Sequence, residues 1–132
     1  MIEAYTEAGL KPEDITYINA HGTSTHLNDM LETKAVKIAL GEEQARKVKI
    51  NSTKSMTGHM LGGTGAVEAA VCALSIRDSF IHQTIGYTTP DPECDLDYCV
   101  DGPVEMPVNA ALSNSLGFGG HNATLCFKKC TD

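Results

Sequence analysis

No stretch of this sequence approaches the roughly 18 consecutive apolar residues that a membrane-crossing helix needs. Basic residues are scarce. Ten Lys and Arg face seventeen Asp and Glu, for a formal net charge of −7. A nucleic-acid binder needs a basic footprint, and this balance does not supply one. An acidic partner would have to dock on a local basic patch or on another part of an assembly. None of the five cysteines (Cys72, Cys94, Cys99, Cys126 and Cys130) stands in a C-x-x-C pair, and the count is odd. Reduced, mostly buried thiols follow, not a disulfide framework or a zinc ribbon. The opening MIEAYTEAGLKPED is acidic and lacks the basic-then-apolar order of a signal peptide, so the expectation is a cytoplasmic chain. The Walker pattern, G-x-G-x-x-G and the nucleophile elbow G-x-S-x-G are also missing, as are internal repeats and low-complexity tracts.

What is present is ordinary globular material, 42% hydrophobic and 20% charged, and its 132 residues suffice for one domain over 1–132. Residues 1–10 read as a helix stopped near Gly9 and Pro12, and 15–20 (ITYINA) read as a strand. Asp29 is a candidate N-cap with Glu32 at the capping-box position. Leu31, Ala35, Ile38 and Ala39 then fall on one helix face, and Gly41 ends that helix. Residues 47–51 form a second strand. Strand, helix, strand in this order is a parallel α/β unit. Residues 64–78 (TGAVEAAVCALSIRD) are apolar on nearly every face, which predicts a helix buried on all sides. Glu68 is its only charge before Arg77 and needs a partner. Residues 80–85 read as a strand, and 88–107 as a surface excursion rich in Pro, Asp and Gly. Residues 110–115 and 123–128 read as two late strands flanking the turn 116–120.

Three polar or Gly-rich clusters follow or interrupt these strands: 21–25, 54–59 and 117–122. Sites in α/β sheets form at the carboxyl ends of strands, so the three are expected to converge. Singly, each has a bland reading. His21, His26 and Asp29 are potential metal ligands, but their spacing matches no zinc pattern. The glycines of GHMLGGTG suit a phosphate only weakly. His21 and His59 taken alone read equally well as structural histidines.

Together the clusters are far more specific. "NAHGTST" at 19–25, "NSTKSMTGHMLGGTGAVE" at 51–68 and "NSLGFGGHN" at 114–122 resemble the C-terminal half of β-ketoacyl-[acyl-carrier-protein] synthases, most closely the elongating synthase II type. The resemblance runs over nearly the whole chain. It implies an α/β thiolase-like fold, here its C-terminal half, with a mixed five-stranded sheet and a buried central helix. It also implies a decarboxylative Claisen condensation in fatty acid biosynthesis. In that reaction malonyl-carrier protein loses carbon dioxide and the carbanion attacks an acyl group held on a cysteine.

The family's two catalytic histidines map onto His21 and His59, and its active-site lysine onto Lys54. Its helix glutamate maps onto Glu68, with Asp29 a second structural and electrostatic carboxylate. Thr23 and Thr25 map onto the threonines that hydrogen-bond the phosphopantetheine arm, and Phe118 with Gly119 onto the acyl-pocket gate. The implied partners are acyl carrier protein, an N-terminal half and, in the full enzyme, a second copy. No metal and no resident cofactor is implied, since the phosphopantetheine arrives on the carrier protein.

The physics suits these roles. Two neutral imidazole N–H donors would stabilise an enolate oxygen, and Lys54 with the following helix N-terminus would disfavour imidazolium at His59. Glu68 is the natural counter-charge of Lys54. The sequence departs from the family at His26 (often proline), Leu116 (often phenylalanine) and His121 (often threonine). No cysteine has the strand-to-helix setting of the family's nucleophile, and Cys72 lies mid-helix, where thiols are inert. The expectation is therefore a fragment, a truncated reading frame or one piece of a split enzyme. The alternative is a non-catalytic scaffold or binding domain that keeps the fold.

Overall fold

The computed structural model describes residues 1–130. Four strands build the main sheet: β1 (Tyr17–Asn19), β2 (Lys49–Asn51), β5 (Ala110–Gly117) and β6 (His121–Lys128). Their spatial order is β2-β1-β5-β6. β1 runs parallel to both β2 and β5, and β6 runs antiparallel to β5. The sheet is mixed, as expected, but has four strands among the described residues and not five. The run at 80–85 contributes only β3 (Phe80–Ile81), which pairs with β4 (Val104–Glu105) in a separate two-stranded ribbon. The outer side of β2 meets irregular chain. The Ile50 N–H donates to the Asp97 carbonyl at 2.9 Å, and Thr84 N–H to Cys99 at 3.0 Å. Pro90 and Pro92 in the excursion lack the N–H groups a regular edge strand would need.

Successive residues of a strand point to opposite faces, and the core divides accordingly. Ile18, Ala110 and Leu112 join Val36, Leu40, Val48 and Ile50 on one side. Tyr17 and Ala111 join Cys72, Ile81, Cys99 and Val108 on the other. The first side is covered by α1 (Ile2–Glu7), α2 (His26–Leu40) and α3 (Glu42–Ala45). The second is covered by α5 (Thr64–Asp78), which packs on β5. A short α4 (Lys54–Thr57) follows β2 directly. No described helix is long and apolar enough to cross a membrane.

Two helix readings need correction. α2 is capped at Thr25, so Asp29 sits in the first turn and not at the cap. Its buried residues are Glu32, Thr33, Val36, Ala39 and Leu40, while Leu31 and Ile38 are 50% and 78% exposed. Periodicity ranks residues by apolarity, but here Glu32 and Thr33 have tertiary hydrogen-bond partners, and those turn the helix. α5 keeps its expected bounds yet is not buried all round. Its buried residues are Thr64, Glu68, Cys72 and Ser75, mostly the polar members, whereas Val67 and Leu74 are 38% and 45% exposed. Ala66, Ala70 and Ala73 share that exposed side.

A helix with its polar residues inside and aliphatic residues outside presents the kind of patch that drives association. The purified chain should self-associate through it, and Val67→Glu combined with Leu74→Lys should raise the monomer fraction in sedimentation velocity. Unaltered monomeric behaviour of the parent chain would show that the face has no such tendency.

Candidate functional site

His21 lies two residues past β1. Its loop is held by one buried carboxylate: Glu32 accepts the His21 N–H at 2.9 Å, the Gly22 N–H at 3.0 Å and the Asn114 side-chain amide at 3.1 Å. Glu32 thereby joins α2, the end of β1 and β5. Gly22 has a φ of +42°, and a Cβ there would stand 2.6 Å from the Ser52 Cβ. Only glycine lets this loop approach the turn after β2, where Ser52 donates to the Gly22 carbonyl at 2.8 Å.

That turn leads into α4 and then, through Gly58 at φ +70°, to His59. The His59 ring is fixed by the N-terminal approach to α5. Leu61 N–H donates to its Nδ1 at 3.0 Å, and the Thr64 hydroxyl, which accepts Met60 N–H at 2.8 Å, lies 3.3 Å from the same nitrogen. Because Nδ1 accepts, the neutral ring carries its hydrogen on Nε2. The two imidazoles meet edge to face, with centroids 5.6 Å apart and planes at 84°. This is the proximity that the sequence motifs led one to expect.

Lys54 and Glu68 form a buried ion pair, Nζ to Oε1 at 2.6 Å, with side chains 5% and 1% exposed. The second Glu68 oxygen is buried without a hydrogen-bond partner among the described residues. Burial pushes the Glu68 carboxyl upward, and the Lys54 ammonium pulls it part of the way back. Lys54 also acts on His21. Burial first, then the Lys54 charge, then His59 lower the His21 imidazole to about 4. His21 is therefore neutral at physiological pH.

The remaining candidates are more scattered. Thr23 and Thr25 hydrogen-bond each other at 2.8 Å on the loop after His21. The Phe118 ring is fully exposed at the tip of the β5–β6 hairpin, next to Gly119 and Gly120 in left-handed conformations. Asp29 lines a cavity of about 460 Å³ with Thr23, His26, Lys54, Thr84 and Tyr98. Neither His21 nor His59 lines this cavity. His26 lies near Asp91 and Glu93, 3.7 Å from each, on the exposed side of the loop. No group of three or more His, Cys, Asp or Glu among the described residues is arranged to hold a metal ion. Glu32 is the residue whose role the sequence hid. Its position suggested a helix cap, and only tertiary structure shows it serving the His21 loop.

Two measurements check this electrostatic picture. A folded His21 value near 4 lies below the ordinary value of about 6.5. Between the two, the unfolded chain holds more protons than the folded one, so stability rises with pH across that window and is lost as pH falls through it. NMR titration should give a His21 midpoint near 4, and His21→Gln should flatten the acid limb of the stability curve. A midpoint near the ordinary value would remove the effect. Glu68→Ala leaves Lys54 buried and unpaired, and should lower unfolding free energy by about 3–5 kcal/mol. An unchanged denaturation midpoint would count against the pair.

Residues 1–88 match the family model described as "Beta-ketoacyl synthase, C-terminal domain". The chain is 54% identical over 129 residues to 3-oxoacyl-[acyl-carrier-protein] synthase 2 of Staphylococcus aureus, covering 98% of this chain and 31% of that protein. It is 54% identical to the protein of the same name from a Synechocystis species, covering 96% of this chain and 30% of that protein. Among solved structures, a ketosynthase in complex with a type II polyketide acyl-carrier protein superposes with a TM-score of 0.92 at 41% identity, over 97% of this chain and 31% of its own. A β-ketoacyl synthase from Burkholderia phymatum gives 0.89 at 34% identity, over 97% of this chain and 31% of its own. The chain thus spans about a third of the length of the curated relatives it matches. The chain belongs to the β-ketoacyl synthase family, within the C-terminal domain of that family.

Proposed function

We propose that this chain supplies the decarboxylating and oxyanion-stabilising part of a condensing site of fatty acid biosynthesis. A malonyl thioester delivered by acyl carrier protein loses carbon dioxide. The electrons of the broken C–C bond form an enolate, whose carbon attacks an acyl thioester on a cysteine, releasing the cysteine thiolate and giving the β-ketoacyl product. The observation that carries this reading is the edge-to-face pair of His21 and His59 beside the buried Lys54–Glu68 pair. An imidazole lowered to about 4 is a neutral N–H donor at neutral pH, which is what a developing enolate oxygen needs. The His59 Nδ1 is occupied as an acceptor, so its Nε2–H is the donor left for substrate.

In this reading Lys54 sets the field around His21 and does not attack substrate. Glu68 balances it, and Asp29 contributes negative charge near the loop. Thr23 and Thr25 offer hydroxyls to the phosphopantetheine arm, while Phe118 and Gly119, on a glycine-flanked hairpin tip, gate the acyl chain. The acyl-holding cysteine is proposed to lie outside these 132 residues. Burial pushes Cys72 up to about 12 and Cys99 up to about 11, far from a nucleophilic thiolate at neutral pH. The remaining length of the relatives would provide that cysteine, the carrier-protein docking surface and the contacts of a homodimer. We place the reaction in the cytoplasm and assign it no metal and no resident cofactor.

The test is a chimera in which this chain replaces the matching third of the Staphylococcus aureus relative. His59→Ala should lower carbon dioxide release by about 10²–10³, the effect of losing one oxyanion donor, with acylation of the cysteine little changed. Normal decarboxylation with acylation lost would reverse the assignment. A parent chimera that folds and acylates but never decarboxylates would favour the scaffold reading.

A further inference from the structure

Lys54 begins α4, and the residue before it, Thr53, stands at the N-cap position without capping the helix through its side chain. The Thr53 hydroxyl is buried and engaged elsewhere. It accepts the Asn19 side-chain amide at 2.7 Å and lies 3.0 Å from Nε2 of His82. On the other side of that ring, Nδ1 lies 2.8 Å from the Gln83 carbonyl oxygen. The His82 carbonyl in turn accepts the Asn51 side-chain amide at 2.7 Å, and the Asn51 oxygen accepts the Tyr17 hydroxyl at 2.7 Å.

The donors in this chain can be assigned one by one. A carbonyl oxygen only accepts, so His82 Nδ1 must carry a hydrogen. The Asn19 amide nitrogen only donates, so the Thr53 hydroxyl hydrogen is left to point at His82 Nε2. A hydrogen on Nε2 would force Thr53 to accept twice. Its own hydrogen would then have no acceptor in this network, because the other group it meets is the Asn19 amide nitrogen, a donor. The arrangement that gives the Thr53 hydrogen an acceptor is His82 with its hydrogen on Nδ1 and Nε2 bare.

We propose that His82 is a positioning residue for Lys54: held in one tautomer by the Gln83 carbonyl, it fixes the Thr53 hydroxyl and so the turn from which Lys54 reaches Glu68. Asn19, two residues before His21, belongs to the same chain of hydrogen bonds, so His82 couples the strand ends that carry His21 and Lys54. His82 touches no reacting atom in this arrangement. The inference rests on the condensing-site reading for its effect on activity, but not for its geometry.

The closing experiment has two arms. In the full 132-residue chain, long-range ¹H–¹⁵N NMR should report His82 as the Nδ1–H tautomer. His82→Ala should speed hydrogen exchange at Met56, Thr57 and Gly58, whose amides bond the Thr53 and Lys54 carbonyls. In the chimera, His82→Ala and Thr53→Val should each lower kcat for carbon dioxide release by up to about tenfold, the scale of one lost hydrogen bond, with KM little changed. The double variant should be no worse than the weaker single, because both break the same link. His82→Gln, whose amide oxygen can accept from Thr53, should restore most of the rate. An Nε2–H tautomer, unchanged exchange at residues 56–58, or a glutamine variant as slow as the alanine one overturns the proposal. An inactive parent chimera with the expected tautomer and exchange overturns the condensing reading instead and leaves the positioning intact.

Discussion

The site depends on one buried ion pair. Lys54 comes from the short helix after β2, and Glu68 from the inner face of α5. Neither charge would tolerate that burial alone, and together they fix how two elements on different sides of a turn face each other. The ammonium then has a second use. Placed near His21, it makes a further positive charge there unfavourable, so the imidazole remains a neutral donor. A single desolvated cation thus holds tertiary structure and sets a protonation state. Glu32 performs the complementary task on the other flank, where its carboxylate gathers two backbone N–H groups and an amide from β5.

The sheet explains why the arrangement converges. β1 and β2 are parallel neighbours, in register from Tyr17 with Lys49 to Asn19 with Asn51. Their carboxyl ends therefore deliver His21 and Lys54 to the same edge of the fold, and β5 brings Asn114 to the same region. The hydrogen bond from Ala20 N–H to the Asn51 carbonyl, 2.8 Å, carries the pairing one step past the strands and into the loops. Glycine at position 22 removes the side chain that would otherwise hold those loops apart.

Much of this was legible in the sequence because it is local. The strand expected at 15–20 and found at Tyr17–Asn19, and the helix at 64–78, follow from local pattern, whereas the meeting of His21, Lys54, His59 and Glu68 was expected from the family resemblance. What was not legible depends on distant partners. Leu31 and Ile38 form a convincing apolar face until Glu32 and Thr33 find hydrogen bonds that turn the helix the other way. Asp29 has the chemistry of an N-cap, but Thr25 already has the extended backbone that starts the helix. The expected fifth strand failed because residues beyond Ile81 pair with irregular chain and not with a strand. His82 gave no signal at all, since its significance is a hydrogen-bond direction that no pattern of residue types encodes.

The inverted polarity of α5 also affects how the fold responds to temperature. Most surface helices are held in orientation by the hydrophobic effect, which weakens on cooling. Here the inner face combines the Lys54–Glu68 ion pair with the core packing of Cys72 and Ile76, while Val67 and Leu74 point outward. Cooling therefore weakens association through the exposed Val67 and Leu74, while the ion pair continues to hold the rotation of the helix about its own axis. The charge pair that aims α5 and the aliphatic side chains on its outer face thus respond differently to temperature.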